Sequence, residues 1–344
     1  MYLKTTYIFI IFLLFSSLLQ AKDYTKKREV RRFISEMVRY HHFNRQQLTR
    51  LFKHVKFQKR ALSVYRPHLR PKIKVSKKKK HTTRKQGSWD RYERAFLKQI
   101  KVTKGVAFMH KHRHALHKAY RLYGVEPEYI TAIIGVESHY GVNRGKYPVF
   151  DTLTTLAFEK NRRQKFYRKE LKAFLLMTRR EKVNPKRIRG SWAGAIGLGQ
   201  FMPSNYQAYV VDFNHDGYHQ MNNFTDAIGS IAHYFKRHGW QKGVPVAVRV
   251  SYPGKRFRRY RTGYKHSYHR RSLKGIAPRH YFPYKGKVHL IKLKRTKYDE
   301  LWYGTKNFYV ITRYNHSDYY AMAIHQLAQR IKRAYRKKYG HILR

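Results

Sequence analysis

Residues 130–141 read ITAIIGVESHYG and hold one carboxylate, Glu137, among isoleucines. An acid in such surroundings is costly unless it is paired or protonated. Protonated, it has a use: desolvation raises its pKa until it can hand over a proton near neutral pH. Paired, it is an internal salt bridge, and 77 Lys and Arg against 18 Asp and Glu offer many partners. The residues alone leave both readings open.

A second constellation stands downstream. Asp212, Asn214, Asp216 and Gly217 form D-x-N-x-D-G, the opening of a calcium loop, with the Tyr218 carbonyl at the seventh position. The twelfth is Asn223, a neutral oxygen where such loops want a bidentate Glu. A weak structural Ca2+ or none is expected, the other reading being a metal-free Asx-turn loop. The 21 histidines contain no HExxH or similar pair at metal spacing, and catalysis is expected to need no cofactor. Between the two acidic sites, GSWAGAIGLGQFMPS offers closely spaced small residues, which let backbone approach a ligand or a neighbouring helix.

These residues need elements to position them. Pro127 suits a first helical turn, Glu126 and Glu128 favour its positive end, and Gly141 is a natural terminator. The 3.6-residue repeat then puts Glu137 on one buried face with Ile130, Ile133 and Ile134. Apolar spacing within residues 22–65 predicts two amphipathic helices joined near residues 42–44, packing on a larger body. Residues 66–87, with prolines and a lysine run, read as a basic connector. Residues 88–244 form a helical body. Short alternating runs over 245–315, including NFYVITRYN, predict strands and a small β-rich subdomain. Residues 316–344 return to helix and a basic tail, with Ser317 as N-cap. The fold class is therefore mainly α with a small β-rich subdomain, α+β.

Met1 opens a short charged region, an apolar run over residues 7–19 and a small Ala21, which reads as an export signal cut after Ala21, residues 1–21. An uncleaved anchor is the alternative. The chain has no Cys, which excludes disulfides, thiolate metal sites and a lipid-bearing N-terminal cysteine, and suits the periplasm of a Gram-negative bacterium. A formal net charge of +59 implies polyanionic partners, among them an anionic membrane surface or a carboxylate-bearing wall polymer. Export argues against nucleic acid.

Together IIGVES, FDTLTTLAF, NRRQKFYRKEL, GSWAGAIGLGQFMPS, DAIGSIAHYFKRHGW and NFYVITRYNHSDYYAMA resemble the lytic murein transglycosylase B family, glycoside hydrolase family 103. The resemblance covers about residues 33–60 and 89–335. It implies a lysozyme-like catalytic domain and Glu137 as the single catalytic acid and base. It also implies that Ser191, Gln200, Tyr234, Tyr314 and Asn315 line the glycan site, that Arg162 and Arg163 meet the wall peptide, and that Tyr92 joins them. Family members bind calcium at the loop found here, commonly with Asp where this chain has Asn223.

A two-carboxylate glycosidase needs a second acid, but Asp151 and Glu159, the next acids after Glu137 in sequence, lie in segments that read as structural. The family scheme needs only one, and leaves a 1,6-anhydro end on the muramyl residue. The implied partners are peptidoglycan glycan strands with their stem peptides, and proteins of wall synthesis or remodelling. A catalytically silent, cationic murein-binding scaffold of the same fold is the competing reading, but it gives no reason for an acid on an apolar face.

Overall fold

The computed structural model describes residues 21–66, 86–254, 256–341 and 343. The export signal, apart from Ala21, and most of the basic connector fall outside these residues. The N-terminal pair is α1 (Arg28–His41) and α2 (Arg45–Lys53), joined where the spacing predicts. His42 ends α1 in left-handed backbone (φ 53°), and the Asn44 side chain caps α2 by accepting the Gln47 amide. Phe33 and Phe52 fix the pair to the body through edge contacts with Phe158, at 5.7 and 6.2 Å. β1 (Ala21–Lys22) pairs antiparallel with β2 (Val55–Lys56), and α3 (Lys59–Ser63) follows.

The helical body runs through α4 (Ser88–Phe96), α5 (Gln99–Lys111), α6 (Arg113–Tyr123), α7 (Pro127–Ser138), α8 (Val149–Phe158), α9 (Gln164–Arg180), α10 (Pro203–Tyr209) and α11 (Phe224–Arg237). A short link, β3 (Tyr147–Pro148) with β4 (Arg189–Gly190), ties the segment after α7 to the glycine-rich loop. That link depends on Gly145, at φ 93°, because a side chain there would run into the Gly190 backbone.

Four antiparallel strands follow: β5 (Ala247–Ser251), β6 (Ala277–Pro278), β7 (His289–Lys294) and β8 (Asp299–Gly304), in the order β6-β5-β8-β7. Their two-residue alternation serves two cores. Leu290, Leu301 and Tyr303 pack with Val250 and Phe282, while Ile291, Leu293 and Trp302 join the main core. The strand expectation fails for NFYVITRYN, which forms α12 (Lys306–Tyr314). Thr305 caps it by accepting the Asn307 amide at 3.1 Å, and Phe308, Ile311 and Thr312 bury one helical face. The β-branched residues of this segment favour strand only weakly, and the cap with the tertiary packing overrides them. The chain closes with α13 (Asp318–Tyr339), capped by Ser317 as expected.

α7 is packed by α5, α6, α11 and α13, and every residue of it except Val136 and Glu137 is buried. The single apolar face read from the repeat is thus nearly the whole circumference. Its end also differs from expectation. His139 (φ 51°) is the left-handed cap, Tyr140 (φ 60°) follows, and Gly141 (φ 91°) is the third such residue. Several carboxylates elsewhere are turned toward cations: Asp151 meets Lys186 at 2.8 Å, Glu159 meets Lys22 at 2.9 Å, and Arg295 gathers Asp90, Glu93 and Glu300. Among the described residues no helix is long and apolar enough to cross a membrane.

Candidate active site

Glu137 lies in the last turn of α7, half-buried, and its Oε1 accepts the Tyr320 hydroxyl at 2.6 Å. Among the described residues no cation reaches ion-pair distance of it, so the salt-bridge reading is set aside. Burial pushes its pKa up to about 7, against the opposing effects of the Tyr320 hydrogen bond and the Lys101 charge. At neutral pH such a group is close to half protonated, and can both give and accept a proton. No second carboxylate is among the groups that shift it.

Tyr320 was not singled out from the sequence. It is the third residue of α13, and the Ser317 cap that accepts its amide at 3.3 Å fixes its place. The signal available was a tyrosine directly inside a capped, apolar helix, since a buried phenol needs a partner. Lys101, on α5, acts on Glu137 through its charge, and nothing in its local sequence marks it. It is only 7% exposed, with its ammonium 5.2 Å from the centre of the Phe96 ring, and burial lowers its pKa.

The structure brings several of the expected residues to Glu137. Tyr92 and Tyr314 both feel its charge, and burial with that charge pushes Tyr92 up to about 12. Tyr92 is stacked on Phe96 at 4.4 Å. Tyr314 donates its hydroxyl to the Gly199 carbonyl at 2.5 Å, which anchors the glycine-rich loop beside the acid. A side chain at Gly199 would sit 2.8 Å from that hydroxyl, so the close approach requires glycine. Next to it Gln200, itself left-handed (φ 51°), donates to the carbonyls of Gly197 (2.8 Å) and Arg144 (3.2 Å), leaving its own carbonyl oxygen without a partner among the described residues.

Other expected residues stand apart. Tyr234 is 4% exposed, its hydroxyl donates to the Arg313 carbonyl at 2.7 Å, and its ring backs Tyr314 at 5.1 Å. It therefore supports the wall from behind. Asn315 is exposed at the end of α12. The Ser191 oxygen accepts the amides of Ala193 and Ala195, at 3.3 and 3.0 Å, and so shapes its own loop. Arg162 and Arg163 are exposed just before α9, with Arg163 4.1 Å over Phe166. A chain of rings, Tyr167, Tyr65 and the 37%-exposed Trp192, leads from Arg163 to the Ser191 loop.

In the acidic loop, carboxylate oxygens of Asp212, Asp216 and Asp226 lie within 4.8 Å of one another. Asn223 stands at the start of α11. Its side chain caps α11, accepting the amides of Thr225 and Asp226 at 2.8 and 3.4 Å. Asp226 supplies the carboxylate that the twelfth position was expected to lack, held by the amides of Phe213 (2.8 Å) and Gln220 (2.9 Å). Asn214 bonds Asp216 at 2.7 Å, and the Asp212 carboxylate takes the Gly217 amide at 2.8 Å. Three hard anionic oxygens on a preformed turn fit a calcium ion.

An acid sheltered in a helix end and faced by tyrosines and a glycine-rich loop defines a lysozyme-like lytic transglycosylase, and comparison with known proteins agrees. The family model described as "Transglycosylase SLT domain" matches residues 25–329, and the chain belongs to that family. It is 40% identical over 315 residues, 90% of this chain and 84% of the relative, to membrane-bound lytic murein transglycosylase B of Escherichia coli (strain K12). Structures of the Escherichia coli lytic transglycosylase Slt35, with bulgecin A and with calcium, superpose with a TM-score of 0.83 at 38% identity, covering 93% of this chain and 98% of theirs. SltB3 of Pseudomonas aeruginosa, in complex with NAG-NAM-pentapeptide, matches at TM-score 0.70 and 25% identity, covering 91% of this chain and 80% of its own.

Proposed function

We propose that Glu137 is both acid and base in this lytic transglycosylase, acting on the bond between N-acetylmuramic acid and N-acetylglucosamine. The observation that carries the assignment is a carboxyl group with pKa raised to about 7, bonded to a tyrosine hydroxyl and, among the described residues, to no cation. In protonated form it gives its hydrogen to the glycosidic oxygen as the bond from that oxygen to the muramyl anomeric carbon breaks. The carboxylate so formed takes the proton of the muramyl 6-hydroxyl, whose oxygen bonds to the same carbon. The products are a 1,6-anhydro end and a free 4-hydroxyl, with no water consumed.

Positioning falls to the surrounding wall. The free Gln200 carbonyl accepts from the sugar, Tyr92 and Tyr314 flank it, and Ser191 and Asn315 border it, while Tyr234 braces Tyr314. Arg162 and Arg163 meet the carboxylates of the stem peptide, beside the ring surface of Tyr65 and Trp192. The complex of SltB3 with a disaccharide pentapeptide supports a substrate of this class. Asp212, Asn214, Asp216, Asp226 and the Tyr218 carbonyl would hold calcium, which Slt35 was crystallised with; it would brace the turn before α11 and take no part in the reaction. The apolar N-terminal run and a relative named as membrane-bound support work in the periplasm.

Mass spectrometry of soluble products from purified murein, with wild type and Glu137→Gln, tests the assignment. Muropeptides one water lighter than hydrolytic ones, made by wild type alone, are expected. Undiminished release by the variant refutes the role of Glu137.

A further inference from the structure

We infer that the β-rich subdomain is a docking surface for an anionic lipid bilayer, with the loop over residues 279–287 as its point of contact and Tyr281 entering the headgroup region. Its charge is the first observation. Residues 245–298 hold 17 Lys and Arg and no Asp or Glu, a far more one-sided balance than the 77 to 18 of the whole chain. Arg249 and Arg295 are drawn inward to Glu300, and twelve of the others are exposed and enter no ion pair among the described residues. Like charges gathered on one small subdomain repel one another, and a surface of opposite sign relieves them.

The second, independent observation is Tyr281. It is 90% exposed, the most exposed large hydrophobic side chain among the described residues, yet the loop that carries it is tied down at three places. The Arg279 amide donates to the Arg249 carbonyl at 2.9 Å, and Val288 exchanges both backbone bonds with Tyr268 at 2.8 Å. Between these ends Arg270 Nη1 donates to the carbonyls of Phe282 and Tyr284, at 3.1 and 3.2 Å, and the Phe282 ring is buried in the second core. The phenol is thus held out into solvent by an anchored turn. Arg279, Lys285 and Lys287 stand exposed on either side of it.

A projecting phenol among cations fits one kind of partner. Tyrosine is at home where water meets hydrocarbon, its ring in the apolar layer and its hydroxyl in the wet one. Lysine and arginine beside it meet the phosphates of anionic headgroups. A single glycan strand is gripped by a groove that closes round it, whereas a tip held clear of its own subdomain meets a broad surface face on. The subdomain is also joined to the catalytic helices: the Tyr264 amide donates to Asp318 Oδ1 at 2.9 Å, at the start of the helix that carries Tyr320. A bilayer holding the subdomain therefore holds the active site at a set attitude to that surface.

The test is sedimentation of the full chain with vesicles of equal parts phosphatidylglycerol and phosphatidylcholine, and with vesicles of phosphatidylcholine alone. Any insertion of the apolar run over residues 7–19 is common to wild type and variants and cancels between them. Wild type is expected to prefer the anionic vesicles. Arg279→Gln, Lys285→Gln and Lys287→Gln combined should weaken that binding roughly a hundredfold, at about fivefold per cation. Arg28→Gln, Arg32→Gln and Lys53→Gln combined, which remove exposed cations of α1 and α2, should leave it within about threefold, since charges held away from the surface are screened. Because the chain has no Cys, Tyr281→Cys takes a single polarity-sensitive fluorophore, whose emission should shift to the blue on anionic vesicles. The same label at Tyr40→Cys, 63% exposed on α1, should not shift. Equal losses from the two triple variants, an unshifted label at position 281, or a loss of binding to lipid-free murein in place of vesicles overturns the inference. Turnover of lipid-free murein should stay at the wild-type rate in every variant, so failure here and failure of the Glu137 assignment are distinguished.

Discussion

The Tyr320 hydroxyl donates to Glu137 Oε1 at 2.6 Å, joining the first turn of α13 to the last turn of α7 across 183 positions of sequence. Because it favours the ionised acid, it offsets part of the desolvation that raises the pKa. Tyr320→Phe should therefore keep Glu137 protonated to higher pH, moving the alkaline limb of the rate profile upward. A hydrogen bond to a charged group is worth about 1.5–3 kcal/mol, so the rate at neutral pH should fall by roughly tenfold or more as the carboxylate loses its orientation. A pH series of anhydromuropeptide release reads both effects, and an unmoved limb refutes the coupling.

Lys101 acts on the same acid from α5, in the same direction but through charge alone. Lys101→Met should also raise the alkaline limb. Its stability effect has the opposite sense from removing a favourable ion pair. Burial depresses the lysine pKa, so the folded state carries a penalty at neutral pH that declines as pH rises through the folded pKa. Thermal unfolding near pH 7 should accordingly show the variant no less stable than wild type. A marked fall in Tm would contradict this.

Glu137 itself weakens the fold above its unfolded pKa. Its folded pKa of about 7 lies above the ordinary 4.5, so a cost grows as pH rises from 4.5 to 7 and is complete beyond. Glu137→Gln should be inactive and yet more stable than wild type at pH 8, by at most about 3 kcal/mol, with little difference near pH 4. Denaturant melts at the two pH values measure it.

Calcium should raise Tm and chelation should lower it, without altering initial murein turnover well below Tm. Asp226→Asn should abolish the calcium-dependent part of the shift. Asn223→Ala should cost about 1 kcal/mol through the lost helix cap and leave the calcium response in place. The reverse ranking of the two variants would return Asn223 to the ligand set.

Glu137 was legible because composition made it conspicuous: an acid among isoleucines poses a local energetic problem that local reasoning can detect. Its partner was not, since nothing within either helix indicates that Tyr320 and Glu137 meet. The acidic loop shows the same limit. Its opening is a local turn pattern, but the third carboxylate of the cluster depends on how α11 begins, and counting to the twelfth position does not reach Asp226. At α12, alternation and β-branching outweighed a cap that consists of one threonine oxygen. The sheet before it was legible because its alternation is enforced by two cores at once.

The enclosure of α7 has a consequence for how this enzyme fails. With nearly every residue buried, the helix has no solvent face from which to fray, and its amide hydrogens should exchange only through global opening. The acid then keeps its place until the molecule as a whole comes apart. Heat inactivation and loss of structure should fall at one temperature, with no window in which a folded but misaligned enzyme survives.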